Sequence, residues 1–144
     1  MPRMIFVNLP VADVERAAGF YTALGASRND QFSQAGTAAA MVFSDAIVVM
    51  LLSHAHFARF APRPIADARA ATEVLVCLSE ESRAAVDASV DRAVAAGGRA
   101  DLRPPQAVDG LMYGRCIEDP DGHVIELMWM NAAAATQNEP PAAR

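Results

Sequence analysis

In this 144-residue chain, the residues able to do chemistry gather around one strand-like run near its end. Glu126 is the one carboxylate within Val124-Ile125-Glu126-Leu127-Met128-Trp129-Met130. Alternation puts Val124, Glu126, Met128 and Met130 on one face and His123, Ile125, Leu127 and Trp129 on the other. A carboxylate set mid-strand among apolar neighbours must be paired, ligated to a cation or protonated, because burying it bare is costly. Reading Asp119-Pro120-Asp121-Gly122 as a four-residue hairpin loop places Ile117 opposite Val124, Arg115 opposite Glu126 and Tyr113 opposite Met128. Arg115 then either neutralises Glu126 or holds an anionic group with its fork of donors. Tyr113 either orients a polar ligand or packs with a wet tip. Glu126, Arg115 and Tyr113 form the candidate catalytic set, with Glu126 as general base or metal ligand.

Other polar positions are weaker. Asn8 interrupts the apolar run Met4-Ile5-Phe6-Val7-Asn8-Leu9 and shares the face of Phe6, so it either bonds a ligand or satisfies neighbouring backbone. Glu73 opens a later strand, where it either faces Glu126 or is solvated. His54 and His56, two apart, do not share a helix face. Asp119-x-Asp121-Gly122 resembles part of a calcium loop but lacks the downstream bidentate Glu, so a tight turn is the better reading. Met4, Met50, Met112, Met128 and Met130 with Phe6 give either an adaptable apolar wall or ordinary core.

The elements that must carry these residues follow a repeated order. Met4–Leu9 reads as a strand stopped at Pro10; Asp13 caps a helix with Val14, Ala17, Ala18, Tyr21 and Leu24 at helical spacing, closed by Gly25. Residues 27–33, 37–43 and 46–52 read as a three-strand meander. The second half repeats this: a strand over 72–78, a helix started by Ser79-Glu80-Glu81 with Val86, Val90, Ala93 and Val94 as its buried stripe, Gly97-Gly98 as its stop, a short strand over 99–102, and a hairpin of 111–118 with 123–130. Residues 53–60 read as a short helix and 61–71 as a Pro-containing linker. One domain of two modules, about 3–60 and 72–130, is expected, with a mobile tail over 131–144.

Composition narrows the function. Twelve basic against 17 acidic residues give a net charge of −5, and hydrophobic residues make up 53%. That balance argues against a nucleic-acid or anionic-membrane partner. Every basic residue is Arg, which removes Schiff-base chemistry and a P-loop lysine. No G-x-S-x-G or G-x-G-x-x-G motif is present. No apolar run can span a bilayer, and Met1-Pro2-Arg3 opens without a long apolar signal core, so a cytoplasmic protein is expected. Cys77 and Cys116 lie in strand-like runs without a C-x-x-C pattern and are expected to be buried, reduced thiols.

Phe6-Val7-Asn8-Leu9-Pro10-Val11-Ala12-Asp13, Phe20-Tyr21-Thr22-Ala23-Leu24-Gly25 and Glu118-Asp119-Pro120-Asp121-Gly122-His123-Val124-Ile125-Glu126-Leu127 carry a resemblance over nearly the whole chain. The sequence resembles the vicinal oxygen chelate superfamily of glyoxalase I, bleomycin-resistance proteins and extradiol dioxygenases. Through Val49-Met50-Leu51-Leu52-Ser53-His54 and Leu111-Met112-Tyr113-Gly114-Arg115 it looks most like its group of predicted lactoylglutathione lyases. The resemblance implies an α+β fold of two β-α-β-β-β modules whose eight strands curl around a cleft, commonly in a homodimer. It implies a divalent metal (Mn, Fe, Ni or Zn) with one ligand from the first and fourth strand of each module, places that fall on Phe6, Met50, Glu73 and Glu126. Only the two glutamates suit such a cation, since Phe has no lone pair and the Met thioether is soft. Phe6, Asn8, Met50 and Met128 are therefore read as ligand-binding and Glu73 and Glu126 as a weak metal pair. Two functions follow: a lactoylglutathione lyase-type enzyme acting on a small oxygenated or thiol-conjugated substrate, or a metal-free dimer that sequesters a small molecule.

Overall fold

The computed structural model describes residues 2–135. β1 (Ile5–Val11) runs into α1 (Val14–Ala23), then β2 (Ser27–Gln34), β3 (Ala38–Ser44) and β4 (Ile47–Ser53). After α2 (His54–Ala58) and a connection without regular structure come β5 (Val76–Ser79), α3 (Arg83–Ala95), β6 (Arg99–Ala100), β7 (Gln106–Val108), β8 (Met112–Glu118), β9 (Val124–Met130) and α4 (Ala132–Ala135). The first module is a sheet ordered β1-β4-β3-β2; the second is β5-β9-β8-β6, with β7 also paired to β8. β1 and β4 pair in parallel, as do β5 and β9, because a helix carries the chain across each module.

Local chemistry accounts for the helices. Asp13 accepts the Arg16 amide at 3.0 Å and caps α1, while Gly25 and Gly97 follow α1 and α3 with φ of 107° and 100°, the left-handed stop that glycine supplies. α3 begins later than expected: Ser82, whose hydroxyl accepts the Ala85 amide, is its cap, and Ser79 ends β5 instead. Val94 lies 47% exposed and is replaced in the buried stripe by Ser89. The expected strand over 72–78 starts only at Val76, and β7 forms in the stretch between the expected strand over 99–102 and the expected hairpin. Within the expected mobile tail, α4 forms; 136–144 lie outside the described residues.

One face of each sheet builds a shared core. Val11, Val49, Leu51 and Met41 from the first module join Ile117, Ile125 and Leu127 from the second, with Phe20 and Tyr21 of α1 and Val86 and Val90 of α3 between them. Each fully buried aliphatic side chain contributes about 1.5–3 kcal/mol. A polar seam adds to this. The Tyr21 hydroxyl donates to Asp119 Oδ2 at 2.8 Å, the Ala12 amide to Asp121 Oδ1 at 2.8 Å, and His123 Nε2 lies 2.7 Å from the Pro10 carbonyl. Gly98 sits where a Cβ would come within 2.6 Å of the Phe20 ring and 2.7 Å of the Glu118 carbonyl, so only glycine fits.

Candidate functional site

The opposite sheet faces carry the candidate chemistry. In the first module Phe6, Asn8 and Pro10 are in register with Val48, Met50 and Leu52. In the second, Cys77 of β5 and Cys116 of β8 flank Glu126 of β9 in register, with Val124 and Met128 on the same face.

The hairpin register differs from expectation. Glu118 pairs with Val124, leaving five loop residues, Asp119–His123, because Asp119 donates its amide to the His123 carbonyl at 2.9 Å. The extra residue shifts β8 by one and moves every side chain to the other face. Cys116, not Arg115, lies opposite Glu126, and Tyr113 lies opposite Trp129 rather than Met128. The proposed catalytic trio is therefore split across the sheet.

Arg115 and Tyr113 join a network against α3. Arg115 donates from Nε and Nη2 to the two oxygens of Asp101 at 3.1 and 2.7 Å, and from Nη1 to Asp87 at 3.0 Å. The Tyr113 hydroxyl donates to Asp87 at 2.6 Å, and the Arg83 guanidinium stands 4.6 Å from the Tyr113 ring centroid. Hydrogen bonds from Tyr113 and then Arg115 hold Asp87 below the usual carboxylate range, and Arg115 does the same for Asp101. The Asp101 bond leads in raising the Arg115 pKa above its ordinary value.

Glu126 is paired instead with Arg103: Nη2 donates to Oε1 at 2.6 Å, with both side chains partly buried. Sequence reasoning missed Arg103 because it stands in Leu102-Arg103-Pro104-Pro105, where no periodicity says how the loop between β6 and β7 runs along the edge of β8. Its signal was chemical only: a cation beside a Pro-Pro corner, near an acid that needed a partner. Cys77 is exposed rather than buried, while Cys116 is buried, and both are free. Burial raises both thiols, and Glu126 adds to the rise at Cys77. Two strand spacings, roughly 9–10 Å, separate them and preclude a disulfide.

In the first module the Asn8 amide lines a groove of about 500 Å³ with Leu52, Phe57, Phe60, Ala61 and Pro62. It continues into a cavity of about 610 Å³ along β1 and Val76, walled by residues 61–66 and 71–74. Met50 is half-buried beside Asn8, and Phe6 is 54% exposed.

These positions do not compose a site for a divalent cation. Phe6 is in register two residues before Met50, and the same relation in the second module, continued one step from the Val76–Ile125 pair, puts Leu75 two residues before Glu126. By that relation the fourth place falls on Leu75 rather than on Glu73, which precedes β5 and is exposed. Phe and Leu offer no lone pair, Met50 is soft, and Glu126 is already neutralised by Arg103. Among the described residues no three His, Cys, Asp or Glu cluster to hold a metal. His54 caps no such group either: it opens the five-residue α2 behind Ser53.

Residues 3–127 match the family model described as the Glyoxalase/Bleomycin resistance protein/Dioxygenase superfamily. Among solved structures, a hypothetical protein from S. aureus is similar at 26% identity and a TM-score of 0.73, over 90% of this chain and 95% of that one. A glyoxalase/bleomycin resistance protein/dioxygenase family enzyme from Burkholderia phytofirmans is similar at 17% identity and 0.72, over 90% and 99%. A lactoylglutathione lyase from Agrobacterium tumefaciens follows at 19% and 0.64, over 90% and 94%. No curated protein matches the sequence.

Proposed function

Because the chain belongs to the glyoxalase/bleomycin resistance protein/dioxygenase superfamily, we propose that it is a small-molecule-binding protein of that superfamily which works without a metal, as a cytoplasmic homodimer. The observation that carries this reading is the 2.6 Å pair of Arg103 with Glu126. It neutralises the last carboxylate among the four metal-ligand places, in a setting where Phe6, Met50 and Leu75 supply no hard donor. The Asn8 groove and the Glu126 face then act as contact surfaces, with Met50 and Met128 adapting to the ligand. Ile5, Phe6, Val74, Leu75 and Met130 are exposed apolar residues on or beside β1, β5 and β9, and a second copy covering them would complete the cleft. No helix among the described residues is long and apolar enough to cross a membrane.

The second reading is a lactoylglutathione lyase-type enzyme. It is favoured by Glu126 standing at a ligand place and by the fold shared with the A. tumefaciens lyase. The test is incubation with the hemithioacetal of methylglyoxal and glutathione, with and without Ni²⁺ or Zn²⁺. Recovery of the compound unchanged, from a protein that light scattering sizes at twice its 15.3 kDa chain, is the expected result. Metal-dependent conversion to the thioester would establish the lyase instead.

A further inference from the structure

We infer that Arg103 is the resident cation of the sheet face of the second module that carries Glu126, and that it selects ligands carrying a carboxylate or comparable oxyanion. This rests on the metal-independent reading above. A guanidinium has five N–H donors. Here Nη2 gives one to Glu126 Oε1 at 2.6 Å, and Nη1 gives one to the Pro104 carbonyl at 3.4 Å. The other three have no partner among the described residues, and the side chain is 31% exposed. Against them the pair itself offers one further acceptor, Glu126 Oε2, so the site has more donors than oxygens. A carboxylate answers that imbalance in the planar, two-pronged geometry a guanidinium favours. Val124 and Met128, on the Glu126 face, would cover the hydrocarbon part of the same molecule.

The loop that presents Arg103 is held by contacts with β8. Asp101 holds φ at 55°, a left-handed conformation unusual for a residue with a side chain. It is pinned on two sides: its amide donates to the Cys116 carbonyl at 2.7 Å, and its carboxylate takes both prongs of Arg115. Pro104 and Pro105 restrict the backbone immediately after Arg103. Arg115, on the far face of β8, is thereby a positioning residue for Arg103.

The experiment is ligand-observed saturation-transfer NMR on the full chain in EDTA, comparing benzoate with benzamide, which share a shape and differ in charge. The wild type should bind benzoate at least tenfold more tightly. Arg103→Met should abolish that preference while still binding benzamide, and Arg103→Lys should restore part of it. Arg115→Gln should narrow the preference several-fold with benzamide affinity unchanged, a pattern that loss of fold would not give. Equal binding of the two probes by the wild type, or an unaltered preference in Arg103→Met, would overturn the inference and leave metal-free binding standing. Binding of neither probe until Ni²⁺ or Mn²⁺ is added would overturn the metal-independent reading itself.

Discussion

At Asp101 and Asp87 the electrostatics of single residues become measurable. Both carboxyls sit below their usual range, Asp101 through Arg115 and Asp87 through Tyr113 first and Arg115 second. A folded pKa depressed in this way contributes stability that is present above the unfolded value and is lost as pH falls through the folded one. The groups are largely exposed, so solvent screens the contribution. Arg115→Gln should return the Asp101 titration towards its ordinary 3.8 and raise Asp87 less, because the Tyr113 donor remains; carboxyl-carbon NMR across pH 2–6 reads both. An unmoved Asp101 midpoint would mean that Arg115 does not hold the loop. Glu126 was legible at this scale because alternation alone assigns its face and apolar neighbours alone demand a partner. The identity of that partner was not legible, since Arg103 reaches it from a loop whose path no sequence period encodes.

Two-residue periodicity and glycine stops made most elements readable, down to the paired helix endings at Gly25 and Gly97. Where β8 pairs with β9 the reading slipped, because Asp119-Pro120-Asp121-Gly122 identifies a turn without stating how many residues it spans. The reason lies in Asp119. It is 2% exposed and accepts the amides of Asp121 and His123 on Oδ1 and the Tyr21 hydroxyl on Oδ2, so the loop closes around its carboxylate and takes in His123. The segment that looked like a bare turn is thus a clasp between the modules. Burial raises the Asp119 pKa, opposed by the His123 charge and by its hydrogen bonds, that from Tyr21 foremost. A raised folded pKa means that the folded state is favoured with Asp119 protonated and is penalised as pH rises through the folded value. Tyr21→Phe removes one opposing donor. It should cost about 1–3 kcal/mol in urea unfolding at pH 7, and less as the pH is lowered and Asp119 takes up its proton, since the protonated carboxyl needs that donor less. A loss that does not change as the pH is lowered would contradict this account of the clasp.

Across the whole molecule, two modules share one core and turn their other faces outward, one with the Asn8 groove and one with the Arg103–Glu126 pair. The duplicated order was plain in the sequence. Which residues take equivalent places in the two halves was not, because Glu73 lies outside the shortened β5 and only the ladder register points to Leu75. Superfamily membership sets the architecture, while the residues on these faces set the chemistry, and here a guanidinium stands beside the carboxylate that a metal would need. The most direct test is titration of Mn²⁺, Fe²⁺, Ni²⁺ and Zn²⁺ into stripped wild-type protein and into Glu126→Ala, followed by calorimetry and metal analysis after dialysis. The expected result is no stoichiometric uptake by either protein. One metal per chain or per dimer in the wild type, lost in Glu126→Ala, would contradict the central claim.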